Sequence, residues 1–263
     1  MKLNIVTWSS NSLWKSFLKK ISNVEDVTIG LSRRWCEIAN VFNVKLDLLN
    51  KEEIKNRIFK VLLTFDYTKI SSVHLIHTAS KIKNELKDIN NPNYNTLDLD
   101  GDWIDDEVLN STYTTFKNTH QALLDCLKDI GNEKVFKYLN IIGTLLDKKD
   151  WEASSHRSMI RANKLLRNYV EWLCINDPTY KWICVSVWTI ATERELEYRK
   201  NWEHEYWLKE DIVVDSILER NIQFTNEYVD ANLYVYNPKY DSYYKNETDS
   251  QMTERFKREI GLI

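Results

Sequence analysis

The first hundred residues switch repeatedly between two hydrophobic periods, and that alternation restricts the possible folds more than any other feature of the chain. "KLNIVTW" (2–8) is a short β-like run, and "SLWKSFLKKI" after it has apolar residues at helical spacing. "VTIGLS" (27–32) reads as a second strand and "RRWCEIANVF" (33–42) as a second helix. "VKLDLL" (44–49) alternates with period two, and "NKEEIKNRIFKVLL" (50–63) opens with a capping box, Asn50 with Glu53. "SVHLIHT" (72–78) is another strand candidate, followed by the helical "ASKIKNELKDI" (79–89). Strands and helices in this succession predict βαβ units and a mostly parallel sheet. Right-handed crossovers then place the strand ends along one rim, where ligands bind.

From about residue 106 to 230 the pattern is mainly helical. Long amphipathic runs fall at "EVLNSTYTTFKNTHQALLDCLKDIG", "EKVFKYLNIIGTLLDK" and "SHRSMIRANKLLRNYVEWLC". "KWICVSVWTIAT" suits a helix or a buried strand, since it is rich in β-branched and aromatic residues. "NLYVYN" is a strand candidate near the end. The expectation is an α/β protein: a sheet-bearing part over 1–110, and a helix-rich part over 111–263 of the same domain. No stretch of 18 apolar residues occurs and no leader is legible, so a cytoplasmic protein is expected, in the host cytoplasm if a phage encodes it. Cys36, Cys126, Cys174 and Cys184 lack CxxC spacing and sit in apolar stretches, as buried reduced thiols do. A net charge of −3 supplies no general attraction to nucleic acid or anionic membrane.

The most acidic stretch is "TLDLDGDWIDDE" (96–107), with six acids in twelve positions. Asp105, Asp106 and Glu107 suit a helix N-terminus, where carboxylates complement the dipole. Asp98 and Asp100 lie at a strand end among like charges, which a divalent cation would relieve. An EF-hand is excluded, because Trp103 and Leu109 stand where that loop needs Gly and Glu. His74 and His77 share a helix face but would point to opposite sides of a strand, so a structural role outweighs zinc. Arg157, Arg161 and Lys164 line one side of a helix, either as an ordinary polar face or as a seat for an anionic acceptor. No P-loop, GxGxxG or Ser/Cys nucleophile motif is present.

"LDLDGDWIDDEVLNSTY" resembles the metal-binding stretch of family 2 glycosyltransferases of the GT-A fold, and "EYWLKEDIVVDSILER" resembles that family's Glu-Asp motif. "NIVTWSSN" is similar to its first strand, and "NLYVYNPKYDS" to its short aromatic strand. The second strand ends in "IGLSRR", without the aspartates that hold the nucleotide base in that family. The resemblance implies a GT-A-like Rossmann-type mixed sheet flanked by helices. The implied enzyme is a metal-dependent, inverting glycosyltransferase, with Mn²⁺ or Mg²⁺ and a nucleotide-diphosphate sugar, UDP-sugar favoured. Its acceptor would be a glycan hydroxyl or a hydroxymethylated DNA base. Asp211 would be the catalytic base beside Glu210, Asp100 and Asp102 the metal ligands, and Asp98 a diphosphate contact. Thr7, Trp8 and Ser9 would line the nucleotide, with Trp8 either stacked on the base or a core tryptophan. The string also looks like the first motif of haloacid-dehalogenase-type phosphatases, with Asp98 as nucleophile and Asp100 as acid/base. A third alternative is a non-catalytic helical interaction module of phage type.

Overall fold

The structure is a computed structural model. It describes residues 1–7, 12–22, 24–34, 37–77, 94–97, 103–132, 138–144, 157–177, 182–187, 215 and 229–233. Its strands are β1 (Lys2–Thr7), β2 (Val27–Ser32), β3 (Phe42–Lys45), β4 (Ser72–His77), β5 (Tyr94–Leu97), β6 (Trp103–Asp105), β7 (Tyr138–Thr144), β8 (Trp182–Val187) and β9 (Val229–Leu233). The helices are α1 (Ser12–Ile21), α2 (Lys51–Leu62), α3 (Asp106–Leu109), α4 (Thr115–Asp129) and α5 (Arg157–Asn176). A π turn over Asn110–Thr114 joins α3 to α4 without a break in the helical path.

Seven strands form one sheet in the order β3-β2-β1-β4-β7-β8-β9, and every described pairing within it is parallel. The chain starts in the middle, works outward to β3, returns beside β1 as β4 and continues the other way. With right-handed crossovers, the two directions of travel put α1 on one face and α2, α4 and α5 on the other. The core agrees. Leu3, Ile5, Val27, Ile29, Leu31, Val73 and Leu75 pack in one cluster with Ile54, Ile58 and Leu62 of α2, Phe116 and Leu123 of α4, and Leu166 and Val170 of α5. These strand residues are alternate positions, as a face of a pleated strand requires. β1 and β2 are buried along nearly all their length, which suits strands covered on both sides.

Two local expectations need correction. The helix expected over 33–42 does not form among the described residues: Glu37–Val41 are not helical, and Asn40 takes φ 58°. Few residues separate Ser32 from Phe42, and a helix of that length would leave none for its two turns. The helix expected over 133–148 contains instead the central strand β7. Interior strands of parallel sheets carry apolar runs rather than a clean alternation, and in the sequence Val135, Phe136, Leu139 and Ile142 fall at helical spacing. The ambiguous segment after Lys181 resolves as strand β8, and the expected helix over 79–89 lies outside the described residues. Residues from 111 onward supply α4 and α5, and also β7, β8 and β9 of the same sheet.

β5 and β6 pair antiparallel as a separate two-stranded ribbon. The acidic stretch 98–102 joins them, so it does not follow a strand of the main sheet, as the GT-A reading required. Of the architecture expected from sequence, a Rossmann-type α/β sheet flanked by helices is what forms, and its described main sheet is parallel rather than mixed.

Candidate functional site

In an open parallel sheet, ligands bind outside the carboxyl ends of the strands where the order reverses. Here that place lies between β1 and β4, whose last residues are Thr7 and His77. Both are buried, and they touch: Thr7 Oγ1 lies 3.0 Å from His77 Nδ1. The other ring nitrogen, Nε2, is 2.8 Å from the carbonyl oxygen of Thr112 in the π turn. A carbonyl only accepts, so Nε2 carries a proton and donates it. In the neutral ring Nδ1 is then the acceptor, and the Thr7 hydroxyl donates to it. The ring edge meets Phe116 of α4, with centroids 5.2 Å apart and planes at 75°.

The helix on which Thr112 lies is capped and buttressed. Asp105 is its N-cap, accepting from the N–H groups of Glu107 and Val108 at 3.0 and 3.3 Å. The backbone N–H of Asp105 donates to Ser158 Oγ of α5 at 2.8 Å, pinning the helix start to a second helix. This matches the dipole-complementing role that the sequence suggested for Asp105. Ser111, Thr115 and Thr119 each donate to a carbonyl three or four residues back, so their hydroxyls are absorbed within the helix. Thr112 differs. Its Oγ1 is buried and has no hydrogen-bond partner. π turns of this sort are frequent at functional positions.

β2 ends in Ser32, whose Oγ accepts from the backbone N–H of Arg34 at 3.2 Å and turns the chain. Arg33 and Arg34 are both exposed just beyond the strand. Sequence reasoning noted the absence of aspartates here, but assigned the arginines nothing. For His77 the sequence favours a structural role over zinc, without naming the partners that the structure shows. The strand reading of "SVHLIH" was the signal that could have placed it beside Thr7. His74 and His77 do point to opposite sides of β4, and burial pushes His74 down to about 4. Among the described residues, no group of three His, Cys, Asp or Glu is arranged to hold a metal.

Of the residues that the glycosyltransferase resemblance assigned to a site, the structure describes Thr7, which stands at the rim. Trp8, Ser9, Asp98, Asp100, Asp102, Glu210 and Asp211 lie outside the described residues. The cation pocket expected between the mid-chain aspartates and Asp211 is therefore not among the described features.

No family model and no curated protein matches the sequence. Solved structures do match its shape. The alcohol dehydrogenase of the archaeon Thermococcus sibiricus, complexed with 5-hydroxy-NADP, superposes with a TM-score of 0.63 at 14% identity, over 90% of this chain and 99% of that one. The fold is that of the short-chain dehydrogenases. A short-chain dehydrogenase of Burkholderia cenocepacia in complex with NADP gives 0.63 and 14% over 97% and 98% of the two chains. The aldohexose dehydrogenase of Thermoplasma acidophilum, in ligand-free form, gives 0.62 and 13% over 88% and 92%. Identities this low show the dehydrogenase fold alone.

They nonetheless overturn the GT-A reading. The neighbours are consistently short-chain dehydrogenase/reductases rather than glycosyltransferases. The glycosyltransferase function, its metal and UDP-sugar, and its glycan or DNA acceptor are corrected with it, as are the phosphatase and the helical-module alternatives. Both folds begin with βα units, so the early periodicity fits either. Among the described residues, no helix is long and apolar enough to cross a membrane.

Proposed function

We propose that this protein is an oxidoreductase of the dehydrogenase fold that binds a nicotinamide dinucleotide, NADP(H) in preference to NAD(H), beside a small-molecule substrate. The observation that carries the reading is the arginine pair at the end of β2. Dinucleotide-binding sheets read the adenosine ribose about twenty residues beyond the first βα turn: an acidic residue there takes the 2′-hydroxyl, and an arginine the 2′-phosphate. Arg33 stands at that distance from Ser12, at the end of a strand adjacent to β1, and no acid accompanies it over 31–36. The complexes of the solved neighbours with NADP, 5-hydroxy-NADP and NADH supply the ligand class by analogy.

The chain fits this group at its phosphorylated ribose and departs from the common pattern at its diphosphate. The first βα turn of such folds carries glycines that let the backbone approach the pyrophosphate. Here the sequence reads Thr7-Trp8-Ser9-Ser10-Asn11-Ser12, without a glycine. In our reading Thr7, Trp8 and Ser9 keep the nucleotide-lining role expected of them, with hydroxyl and amide donors from 9–12 in place of bare backbone. A bound nicotinamide would supply hydride exchange. The chain's own contribution is to seat the cofactor by charge at Arg33 and Arg34 and by shape at the β1–β4 crevice.

Titration calorimetry with NADP⁺, NAD⁺ and 2′,5′-ADP tests this. NADP⁺ is expected to bind at least tenfold tighter than NAD⁺. Arg33→Ala/Arg34→Ala is expected to weaken NADP⁺ by roughly 10- to 100-fold, the loss of one or two hydrogen bonds to a charged partner, and to leave NAD⁺ unchanged. Absence of binding by both dinucleotides at about millimolar concentration, the weak end of the affinity scale, overturns the reading.

A further inference from the structure

One imidazole at the switch point ties together three stretches of chain that are distant in sequence. His77 accepts from the hydroxyl of Thr7, 70 residues earlier, and donates to the carbonyl of Thr112, 35 residues later. Thr7 is 0% exposed, and His77 and Thr112 are each 1% exposed. At that depth a broken hydrogen bond is not simply exchanged for one to bulk water, so its loss carries a cost. The ring has no slack either, since its edge rests on Phe116 in the first turn of α4.

We propose that His77 is a positioning residue that makes the end of β1 and the π turn over Asn110–Thr114 into one mechanical unit. What happens at the β1 end is then felt in the helix that borders the crevice. The identity of the ligand that acts on the β1 end rests on the function proposed above; the coupling itself does not. The π turn is suited to receive such a signal. An i→i+5 turn is a marginal conformation interposed in an α-helix, and its middle residue is the one that His77 holds. The unpartnered Thr112 Oγ1 lies on that same residue, so a small rotation of the turn would re-aim a buried polar atom.

The two hydrogen bonds can be removed separately. Asn at position 77 places an amide oxygen near where Nδ1 stood and retains the acceptor for Thr7. Gln reaches the position of Nε2 and retains the donor to Thr112. Thr7→Val deletes one hydroxyl at nearly constant shape, and Thr7→Ser restores it. Backbone amide exchange over 111–116 is the readout, with α2 (Lys51–Leu62) as the internal control.

Thr7→Val is expected to speed exchange at 111–116 by about tenfold, the scale of one buried hydrogen bond, while α2 is unaffected and Thr7→Ser behaves as wild type. NADP⁺ is expected to slow exchange at 111–116 in wild type but not in His77→Asn, each compared at an NADP⁺ concentration that titration shows to saturate it. Should Thr7→Val fold poorly, His77→Gln, which breaks the same bond from the other side, carries the same expectation. Unchanged exchange at 111–116 in Thr7→Val, or equal acceleration in α2, overturns the coupling. So does nucleotide protection that persists in His77→Asn. A wild-type protein that binds no dinucleotide sinks the proposed function only, because the Thr7→Val comparison needs no ligand.

Discussion

His120 sits on α4 with its ring stacked over Phe116 and the Tyr169 hydroxyl 3.4 Å from Nδ1. Burial pushes it down from 6.5 to about 4. The folded protein thus keeps this ring neutral at pH values where the unfolded chain already protonates it. Its contribution to stability is complete above pH 6.5 and is lost as pH falls from there toward 4. At 1.36 kcal/mol per unit the loss reaches roughly 3 kcal/mol at most, and partly buried His74 adds to it in the same direction. Thermal melts between pH 7 and 4 are expected to show a falling midpoint, and His120→Phe to flatten that slope. A slope unchanged by the substitution would refute the assignment. Cys126 is a different case: burial pushes its thiol up to about 12, so it is an inert core residue, as its apolar setting in the sequence suggested.

At the scale of elements, what was legible depended on whether the deciding interactions are local. α2 was readable because Asn50 caps it within four residues, its side chain accepting from the Glu53 N–H at 3.0 Å, and because Ile54, Ile58 and Leu62 repeat on one face. Asn50→Ala is expected to cost about 1 kcal/mol, and Ile58→Ala 2–5 kcal/mol, measured by urea denaturation. If the two cost the same, burial is not what holds α2 to the sheet. β2 was legible to the residue, since "VTIGLS" is bounded by turn-forming chain on both sides. β7 was not, because it pairs on both sides, with β4 and β8, and interior parallel strands lack the clean alternation by which strands are recognised. The acidic run 98–102 misled for a related reason. Its composition is a local fact, while membership of its flanking strands β5 and β6 in a separate ribbon rather than in the main sheet is a matter of the whole sheet's assembly.

For the molecule as a whole, the sequence announced layers but not their order. Alternating periods say that helices will cover a parallel sheet; they do not say that β4 returns beside β1 rather than beyond β3. That one placement makes the switch point, and with it the Thr7–His77 contact. A ligand held there binds only the assembled sheet, so it stabilises the entire domain by mass action. At a hundredfold excess of NADP⁺ over its Kd the gain is about 2.7 kcal/mol, equivalent to a rise in Tm of roughly 5–10 °C for a chain of this size. Differential scanning fluorimetry reads this directly, and the roughly 10- to 100-fold weakening expected of Arg33→Ala/Arg34→Ala cuts the shift to between about a half and a sixth at the same concentration.

The sheet begins at one margin with β3, only four residues long. Its exposed Phe42 is met edge-on by Phe65 at 5.0 Å, and its last residue is the exposed Lys45. A strand so brief, shielded at one end and positively charged at the other, makes a poor template for a neighbour's backbone. On that side a protein built around an open parallel sheet is guarded against joining copies of itself into fibres.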